Sequence, residues 1–499
     1  MGAGAAGALL AARLAETGKS VVVLDAGPAW TLGDLTSSQI WSRRLKWGGA
    51  PVLSGGSHPV GYNFATGWGL GGAALHHYAG WPRLAVADFT MLSDHGQGLD
   101  WPIGYDDLRP HYDRIQAEVG ISGDAAKEIW RASGDPYPMP PLKTFEQGRI
   151  LSTGFEKLGM HVSPAPMGVT SREFNGRPAC VYDGWCDAGC PTGALANPLV
   201  VHLPAAQKAG ADIRAQSAVT RVRFDAKGNA DALAYTDTEG NQHVQPATIV
   251  ILAGAAVQNA RLLLASQARD PSGLTGRYFN AHSITNAHGL FDAETECHRG
   301  LSAGTLMCQD SYGKARANAP FGSITWGIAG SVKPNDLLGI AAARVDLFGD
   351  ALHRFMKRAA KHLGIINGIV ENVPDKENRI DLTNQHDRFG VPLARIAHHV
   401  SANGVALWQH AGHEGLRVVK AAGATESWTS PQQIFAHISG GTIMGRDPMK
   451  SVTDSYGRMH AIPNLFMAGG GLFPTIGAVS PTYTLLALAD RAAAEMMRS

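Results

Sequence analysis

Gly2-Ala3-Gly4-Ala5-Ala6-Gly7 opens the chain with the spacing GxGxxG. The apolar pattern Ala8–Leu14 predicts a helix, and Ser20–Leu24 predicts a β-strand that ends at Asp25. Glycines at these positions let the backbone turn tightly and approach a pyrophosphate, which binds to free N–H groups at the helix start. Asp25 follows Gly7 by 18 residues, where an acidic side chain can accept hydrogen bonds from an adenosine ribose. This stretch predicts a Rossmann-like, dinucleotide-binding domain.

The size and composition are typical of a globular protein with more than one domain. The 499 residues exceed the length that one hydrophobic core usually spans, and 44% of them are hydrophobic and 17% charged. The formal net charge of +1 gives no electrostatic reason to expect nucleic acid as a partner. Since no apolar run reaches about 18 residues, we expect no transmembrane segment in this chain.

The GxGxxG motif, the fingerprint of dinucleotide-binding domains, lies unusually close to the start of the sequence. A GxGxxG motif normally follows a buried strand, and here only Met1 precedes it. A parallel sheet without its first, central strand would leave neighbouring backbone groups unpaired. We therefore expect the natural protein to begin about 8 to 15 residues earlier, and an export signal could precede that strand.

Strand and helix patterns alternate along the rest of the chain. Strand patterns return at 219–224 and at 248–252, and the second run enters Ala253-Gly254 and a helix pattern. From about 285 to 430 the pattern is mixed, with an amphipathic helix predicted over 403–420. This alternation favours an α/β nucleotide-binding domain that is assembled from separated segments and interrupted by a second domain.

The C-terminal segment has the most specific pattern. It contains His437-Ile438-Ser439-Gly440-Gly441-Thr442-Ile443-Met444-Gly445, then Phe473-Pro474-Thr475 and Ser480-Pro481-Thr482 before an Ala/Leu helix pattern. With the fingerprint, the Gly71-Gly72 loop and the stretch 378–392, this order of motifs resembles the glucose–methanol–choline (GMC) family of FAD-dependent oxidoreductases. The resemblance runs over nearly the whole chain.

The resemblance implies a particular division of the chain. An FAD-binding, Rossmann-like domain would be built from discontinuous segments, beside an α+β substrate domain with an antiparallel sheet. The expected boundaries are 1–130, 201–284 and 431–499 for the FAD-binding domain, 131–200 for a cysteine-containing insert and part of the substrate domain, and 285–430 for the rest of the substrate domain.

The resemblance also places His437 at the active-site histidine of the family. Oxidation of an alcohol removes the hydroxyl proton while hydride leaves the carbon, and an imidazole can take that proton at neutral pH. The second active-site position, just before Pro-Thr, usually carries His or Asn, and here it is Ser480. A serine can donate or accept a hydrogen bond but is no base at neutral pH, so His437 carries more of the expected chemistry.

Further residues are expected to contact FAD. Where the family commonly has Asp, this chain has Gly469-Gly470-Gly471, whose amides could still contact the cofactor. His76 matches a position where some members attach FAD covalently; packing beside the isoalloxazine without a bond, or a loop role, are the alternatives. The expected cofactor-binding set is Gly2, Gly4, Gly7, Asp25, Gly71, Gly72, His76, Val219, Ala253, Gly254 and Gly470.

Three of the five cysteines form the pattern C-x5-C-x3-C. Cys180, Cys186 and Cys190 lie among loop-forming glycines, with Pro191 after the last. Thiolates on such a loop suit an iron–sulfur cluster, and three ligands match [3Fe–4S]. A fourth ligand could come from Cys297 or Cys308. Zinc usually takes four ligands, and a disulfide plus a free thiol is the other alternative.

The cysteine loop resembles that of the membrane-linked sugar and polyol dehydrogenases of the family. The resemblance implies that flavin electrons pass through the cluster to a haem c subunit, and that a small companion subunit carries the export signal. The leading interpretation is an FAD-dependent dehydrogenase of a sugar, polyol or other alcohol, in the periplasm or bound to the inner membrane through a partner. The alternatives are an oxygen-using oxidase with structural cysteines, a catalytically decayed FAD-binding subunit, and a cytoplasmic location.

Overall fold

The structure is a computed structural model, and it describes residues 1–46, 48–313 and 319–498. Its helices are α1 (Ala5–Glu16), α2 (Arg43–Lys46), α3 (Tyr62–Ala65), α4 (Met91–His95), α5 (Tyr105–Val119), α6 (Glu146–Lys157), α7 (His202–Lys208), α8 (Ala255–Ala265), α9 (Pro334–Ala342), α10 (Gly349–His362), α11 (Ala402–Ala421) and α12 (Thr482–Met496).

The strands are β1 (Val22–Leu24), β2 (Leu53–Gly55), β3 (Ser163–Pro164), β4 (Asp212–Arg214), β5 (Ala218–Phe224), β6 (Ala230–Thr236), β7 (Gln242–Pro246), β8 (Val250–Leu252), β9 (Asn280–Leu290), β10 (Leu306–Cys308), β11 (Ile324–Ile328), β12 (Leu363–Val370), β13 (Arg379–His386), β14 (Pro392–Ala397), β15 (Glu426–Thr429), β16 (Ile434–Ser439), β17 (Arg458–Met459) and β18 (Ile462–Met467).

Parallel strand pairs form the nucleotide-binding part of the molecule. β1 pairs with β4, and β8 pairs with β18. The first two residues connect these pairs, because the Gly2 amide donates to the Leu24 carbonyl (2.8 Å) and the Ala253 amide donates to the Met1 carbonyl (2.8 Å). The apolar helix α1 packs against α7 and α12. The Rossmann-like prediction is confirmed, and the expected strand before Met1 stays a prediction.

A seven-stranded sheet forms the second part of the molecule. Its order is β15-β9-β12-β11-β10-β3, and β16 also pairs with β9. Helices α6 and α11 pack on this sheet and enclose the buried Trp326. Ser401 caps α11 by accepting from the Gly404 amide at 3.1 Å, so this helix begins one residue before the predicted 403–420 range. The antiparallel sheet of the expected α+β domain is confirmed, whereas the domain boundaries stay predictions.

Two buried histidines make the folding free energy sensitive to acid. His288 on β9 is 3% exposed and stacks on Trp428, and His398 is 1% exposed. Burial lowers the pKa of each from 6.5 to about 4. The unfolded chain therefore binds protons between these values that the folded chain does not, so stability falls as the pH drops from 6.5 towards 4.

At pH 4 each of the two histidines lowers the free energy of unfolding by at most about 3 kcal/mol. Urea unfolding of the wild type and of His288→Phe at pH 7 and pH 4.5 tests this expectation. The variant should lose less stability between the two pH values than the wild type. Equal losses in both proteins would contradict it.

Candidate active site

The GxGxxG loop faces the Gly71-Gly72 loop at the start of α1, and we call the space between Gly4 and Gly72 the glycine groove. A Cβ on Gly7 would lie 2.0 Å from the Gly2 carbonyl oxygen, and one on Gly2 would lie 2.5 Å from the Ala253 oxygen. A Cβ on Gly4 would meet only the Gly72 Cα, at 3.9 Å. Gly2 and Gly7 are therefore required by close packing, whereas a Cβ at Gly4 would make only an ordinary van der Waals contact.

The Gly71-Gly72 loop forms the other wall of this groove. The Gly71 amide donates to the Ala3 carbonyl at 3.0 Å, and the φ of +99° at Gly71 favours glycine. α1 has no side-chain cap and no acidic residue in its first turn. A groove walled by glycine backbone at an uncapped helix N-terminus fits the pyrophosphate of a dinucleotide.

Asp25 lies at the carboxyl end of β1, beside the groove. Its carboxylate accepts the Ala3 amide at 2.9 Å and the Gly27 amide at 3.0 Å, and its burial raises its pKa. A carboxylate has about four acceptor positions, so two amide bonds leave capacity for a ribose hydroxyl. The Ser217 amide donates to the Asp25 carbonyl at 2.7 Å, which brings Val219 on β5 to the same edge.

Two other predicted contact points follow β8 and β18. Ala253 and Gly254 directly follow β8, and the Gly254 amide donates to the Asn259 side chain at 2.8 Å. Gly470 lies just after β18, and its carbonyl accepts the Gly440 amide at 3.1 Å. β8 and β18 are paired, so both points lie at the same end of the parallel strands.

The two neighbouring histidines of the Gly71-Gly72 loop differ in their contacts. His77 Nδ1 lies 2.9 Å from the Ala74 carbonyl and its Nε2 accepts from Trp81 at 3.2 Å, so both ring nitrogens are used by the protein. Burial lowers the pKa of His77 to about 4. His76 is buried, with Nε2 at 3.0 Å from the Thr66 carbonyl. His77 thus has a structural role, and His76 stays the candidate flavin neighbour.

His437 lies on β16 in an unusual backbone conformation. Its φ is +57°, and the pairing of β16 with β9 shifts register between Ala436 and Ser439. The side chain is half-buried, and burial lowers its pKa to about 4. At neutral pH the imidazole is therefore uncharged and able to accept a proton.

His282 is a site residue that the sequence reasoning missed. Its Nδ1 lies 3.0 Å from Nδ1 of His437, and its Nε2 lies 2.8 Å from the Gly477 carbonyl. This histidine is fully buried on β9 and thus links His437 to the loop that leads to Ser480. The local sequence does not single it out, because six of the eleven residues of β9 are polar and a second histidine, His288, lies on the same strand.

The loop from Gly477 to Ser480 is fixed by neighbouring side chains. Tyr312 donates to Asp88 at 2.5 Å and accepts the Ala478 amide at 3.1 Å. Ser480 is half-buried, and its hydroxyl is 4.0 Å from a Cβ built on Gly80. His282 therefore brings His437 and the Ser480 loop into one site.

The three cysteines of the C-x5-C-x3-C pattern line one small cavity with Trp185 and Val181. All are thiols; the Tyr182 amide donates to Cys180 at 3.3 Å, and Cys190 lies 3.2 Å from the Thr192 hydroxyl. Burial raises the pKa of Cys180 to about 11 and of Cys186 to about 12. The three cysteines of the sequence pattern therefore share one cavity.

The remaining cysteines pack elsewhere. Cys297 belongs to the core around Val332 and Leu363, and Cys308 to the core around Trp326. Neither supplies the fourth ligand that the sequence left open. Within the described residues, no three His, Cys, Asp or Glu side chains are arranged to hold a single metal ion. Ligation of a cluster by Cys180, Cys186 and Cys190 stays a prediction.

A short segment connects the groove with the cysteine cavity. It begins at Gly72, beside Gly4, and reaches Ala79, which packs in the same small core as Cys186. The Ala79 carbonyl accepts the Gly168 amide at 2.9 Å, and the Trp81 amide donates to the Pro166 carbonyl at 2.8 Å. The segment from Gly72 to Ala79 thus joins the glycine groove to the core that contains Cys186.

Over 1–46, 48–313 and 319–498, no helix has the length and apolar character that crossing a bilayer requires. The expectation of no membrane-spanning helix is confirmed for that part of the chain.

Comparisons with known proteins agree with this architecture. The chain is 28% identical to the fructose dehydrogenase large subunit of Gluconobacter japonicus, over 99% of this chain and 96% of that protein. It is 28% identical to the 2-methyl-1,2-propanediol dehydrogenase of Mycolicibacterium austroafricanum, over 99% and 93% of the two chains. The pyridoxine 4-oxidase from Mesorbium loti has the same fold, with a TM-score of 0.68 at 17% identity over 100% and 98% of the chains.

Family models extend over most of the chain. An NAD(P)-binding Rossmann-like domain matches residues 1–65. GMC oxidoreductase models match residues 94–284 and 374–489, which include His282, His437 and Ser480. The chain therefore belongs to the GMC oxidoreductase family, as an FAD-dependent enzyme that acts on CH–OH donors.

Proposed function

We propose that this protein is a dehydrogenase that oxidises a CH–OH group of a sugar, a polyol or another alcohol, and passes the electrons through an iron–sulfur cluster to a further acceptor. The observation that carries the proposal is the contact of the His437 imidazole with His282, which also contacts the Gly477 carbonyl of the loop that leads to Ser480. The dehydrogenase names of two relatives that match nearly the whole chain support the substrate class.

The residues around the groove would hold the FAD. Gly4, Gly72 and the N-terminus of α1 would bind its pyrophosphate, and Asp25 its adenosine ribose. Val219, Ala253, Gly254 and Gly470 would contact it through backbone groups, and His76 would lie beside its ring. When bound, FAD supplies the acceptor for the hydride that leaves the alcohol carbon.

His437 would take the hydroxyl proton of the substrate. An uncharged imidazole can do so without first losing a proton of its own, and its low pKa keeps it in that form at neutral pH. Ser480 would donate or accept a hydrogen bond at the substrate oxygen, which orients the alcohol without a second base. Ser480 in place of His or Asn is thus compatible with one-base chemistry.

The cysteine cavity would hold the cluster. Cys180, Cys186 and Cys190 are the right number of thiol ligands for [3Fe–4S], and the loop carrying them packs on Ala79. The segment from Gly72 to Ala79 joins this cavity to the proposed flavin site and would support electron transfer between the two. Thiol pKa values of about 11 and 12 imply that the protons leave when the metal binds.

The electrons would leave to another protein. The name of the Gluconobacter relative contains the words "large subunit", which supports companion subunits for this chain as well. We propose a small companion subunit and a haem c subunit as the electron acceptor. Nucleic acid plays no part in this proposal, since the net charge of +1 gives no electrostatic reason to expect it.

Cysteine variants test the electron path. The purified wild type should contain flavin and about three irons per chain, and it should turn over faster with an artificial acceptor than with oxygen. Cys186→Ala should contain no iron, and its turnover with the acceptor should be at least about 10-fold slower. Cys297→Ala, a buried thiol in a separate core, is the matched control and should keep both. Iron-free wild type that rapidly forms peroxide would support the oxidase alternative.

A further inference from the structure

The backbone of β16 turns His437 towards His282. In the antiparallel pair, His282 on β9 lies opposite Ala436. Adjacent residues of a regular strand point to opposite faces, so a regular β16 would direct His437 away from His282. Instead, the register shifts after Ala436 and His437 adopts a φ of +57°, which is unfavourable for a residue with a Cβ. This strained turn brings the two Nδ1 atoms to 3.0 Å.

The partners of His282 determine which nitrogen carries each proton. The Gly477 carbonyl is only an acceptor, so Nε2 of His282, at 2.8 Å from it, must carry a hydrogen. In an uncharged His282 the Nδ1 atom then has a lone pair and can only accept. Nδ1 of His437 must therefore be the donor across the 3.0 Å contact. An uncharged His437 with hydrogen on Nδ1 has its lone pair on Nε2.

We propose that His282 is a positioning residue that holds His437 as the Nδ1–H tautomer, so that Nε2 of His437 is the atom that accepts the proton of the alcohol. The transfer of the alcohol proton to Nε2 rests on the proposed function, whereas the assignment of the tautomer does not. Among the described residues, no hydrogen-bond partner contacts Nε2 of His437. That nitrogen is therefore available to a substrate hydroxyl.

The proton and the electrons balance in this step. The O–H bond would break and its proton would move to Nε2 of His437. The C–H bond would break as the C=O bond forms, and bound FAD would supply the acceptor for the hydride. His437 becomes an imidazolium whose Nδ1–H still donates to His282. Hydrogen bonds from charged donors are stronger than neutral ones, so His282 stabilises the protonated form more than the uncharged one.

The carbonyl that fixes His282 is itself held in place. Gly477 has a φ of +56°, and a Cβ there would lie 2.4 Å from the Tyr312 hydroxyl and 2.8 Å from Asp88. Burial and, after it, the charges of Asp88 and Glu371 raise the pKa of Tyr312. Tyr312 thus stays a neutral phenol that holds the loop by its hydrogen bonds. In the chain of hydrogen bonds from Gly477 through His282 to His437, each atom can therefore act only as a donor or only as an acceptor.

The test combines a spectroscopic and a kinetic readout on the flavin-loaded protein. Nitrogen-15 NMR of labelled histidine, assigned with His437→Ala, should find Nδ1 of His437 protonated and Nε2 unprotonated in the wild type. His282→Phe should let the Nε2–H tautomer appear and lower kcat by about 10- to 100-fold with little change in KM. His282→Asn keeps an acceptor near the Nδ1 position and should recover most of both properties.

His288→Phe is the matched control, because His288 is buried on the same face of β9, six residues further along. It should change neither the tautomer nor kcat. A wild-type His437 protonated on Nε2, or a His282→Phe protein with the wild-type tautomer and kcat, would overturn the inference. If the phenylalanine variant does not fold, the wild-type spectrum and the asparagine variant decide. If no alcohol reduces the wild-type flavin, the proposed function fails while the spectrum still tests the tautomer.

Discussion

His437→Ala is expected to lower kcat/KM for alcohol oxidation on the order of 10²- to 10⁴-fold, with FAD still bound. Alanine removes the only imidazole proposed to take the hydroxyl proton, and general base catalysis contributes effects of this size. Ser480 cannot replace it, because a serine hydroxyl does not act as a base at neutral pH. Stopped-flow reduction of the flavin by the best alcohol of a panel measures this step without the later electron transfer.

Two further variants test whether His437 is the base that acts alone. Ser480→Ala should cost about 10-fold or less, since it removes one neutral hydrogen bond. His413→Ala, which removes an exposed histidine of α11, is the matched control and should leave flavin reduction unchanged. A Ser480→Ala loss as large as that of His437→Ala would contradict a one-base mechanism. Wild-type rates in His437→Ala would remove His437 from the chemistry.

The second large effect concerns the glycine groove. Gly4→Leu is expected to weaken FAD binding by at least about 100-fold, because the side chain fills the space where the pyrophosphate would lie. Loss of two charge-assisted hydrogen bonds from the α1 amides, at about 1.5 to 3 kcal/mol each, accounts for this size. The backbone tolerates the change, since Gly4 has a φ of −73° and a Cβ there clashes with nothing.

The flavin content after purification and FAD titration of the apoprotein measure this effect. Gly339→Leu is the matched control, because Gly339 lies on α9 with open space around its Cβ position. It should keep its flavin. A Gly4→Leu protein with full flavin occupancy would show that the pyrophosphate lies elsewhere.

The sequence predicted the parts of the molecule that depend on local spacing. The GxGxxG loop, helix α1 and the strand that ends at Asp25 are consecutive in the sequence. Glycine conformation and apolar periodicity were therefore enough to identify them. The cysteine cavity follows from the same logic, because Cys180, Cys186 and Cys190 lie on one glycine-rich loop.

Contacts that span the chain could not be predicted in this way. His282 and His437 are 155 residues apart, and they meet because a register shift and a left-handed residue interrupt the alternation of β16. Nothing in the local sequence signals such a shift. The position of Cys297 and Cys308 in separate cores depends likewise on strand order, which spacing does not encode.

The central claim is that an alcohol gives its hydride to FAD bound by this chain, with His437 as the base. Anaerobic mixing of the purified protein with a panel of sugars, polyols and simple alcohols tests it most directly, by the absorption of the oxidised flavin. We predict that at least one substrate bleaches the flavin rapidly in the wild type and on the order of 10²-fold or more slowly in His437→Ala. Flavin that stays oxidised with every substrate, or is bleached equally fast in both proteins, would contradict the account.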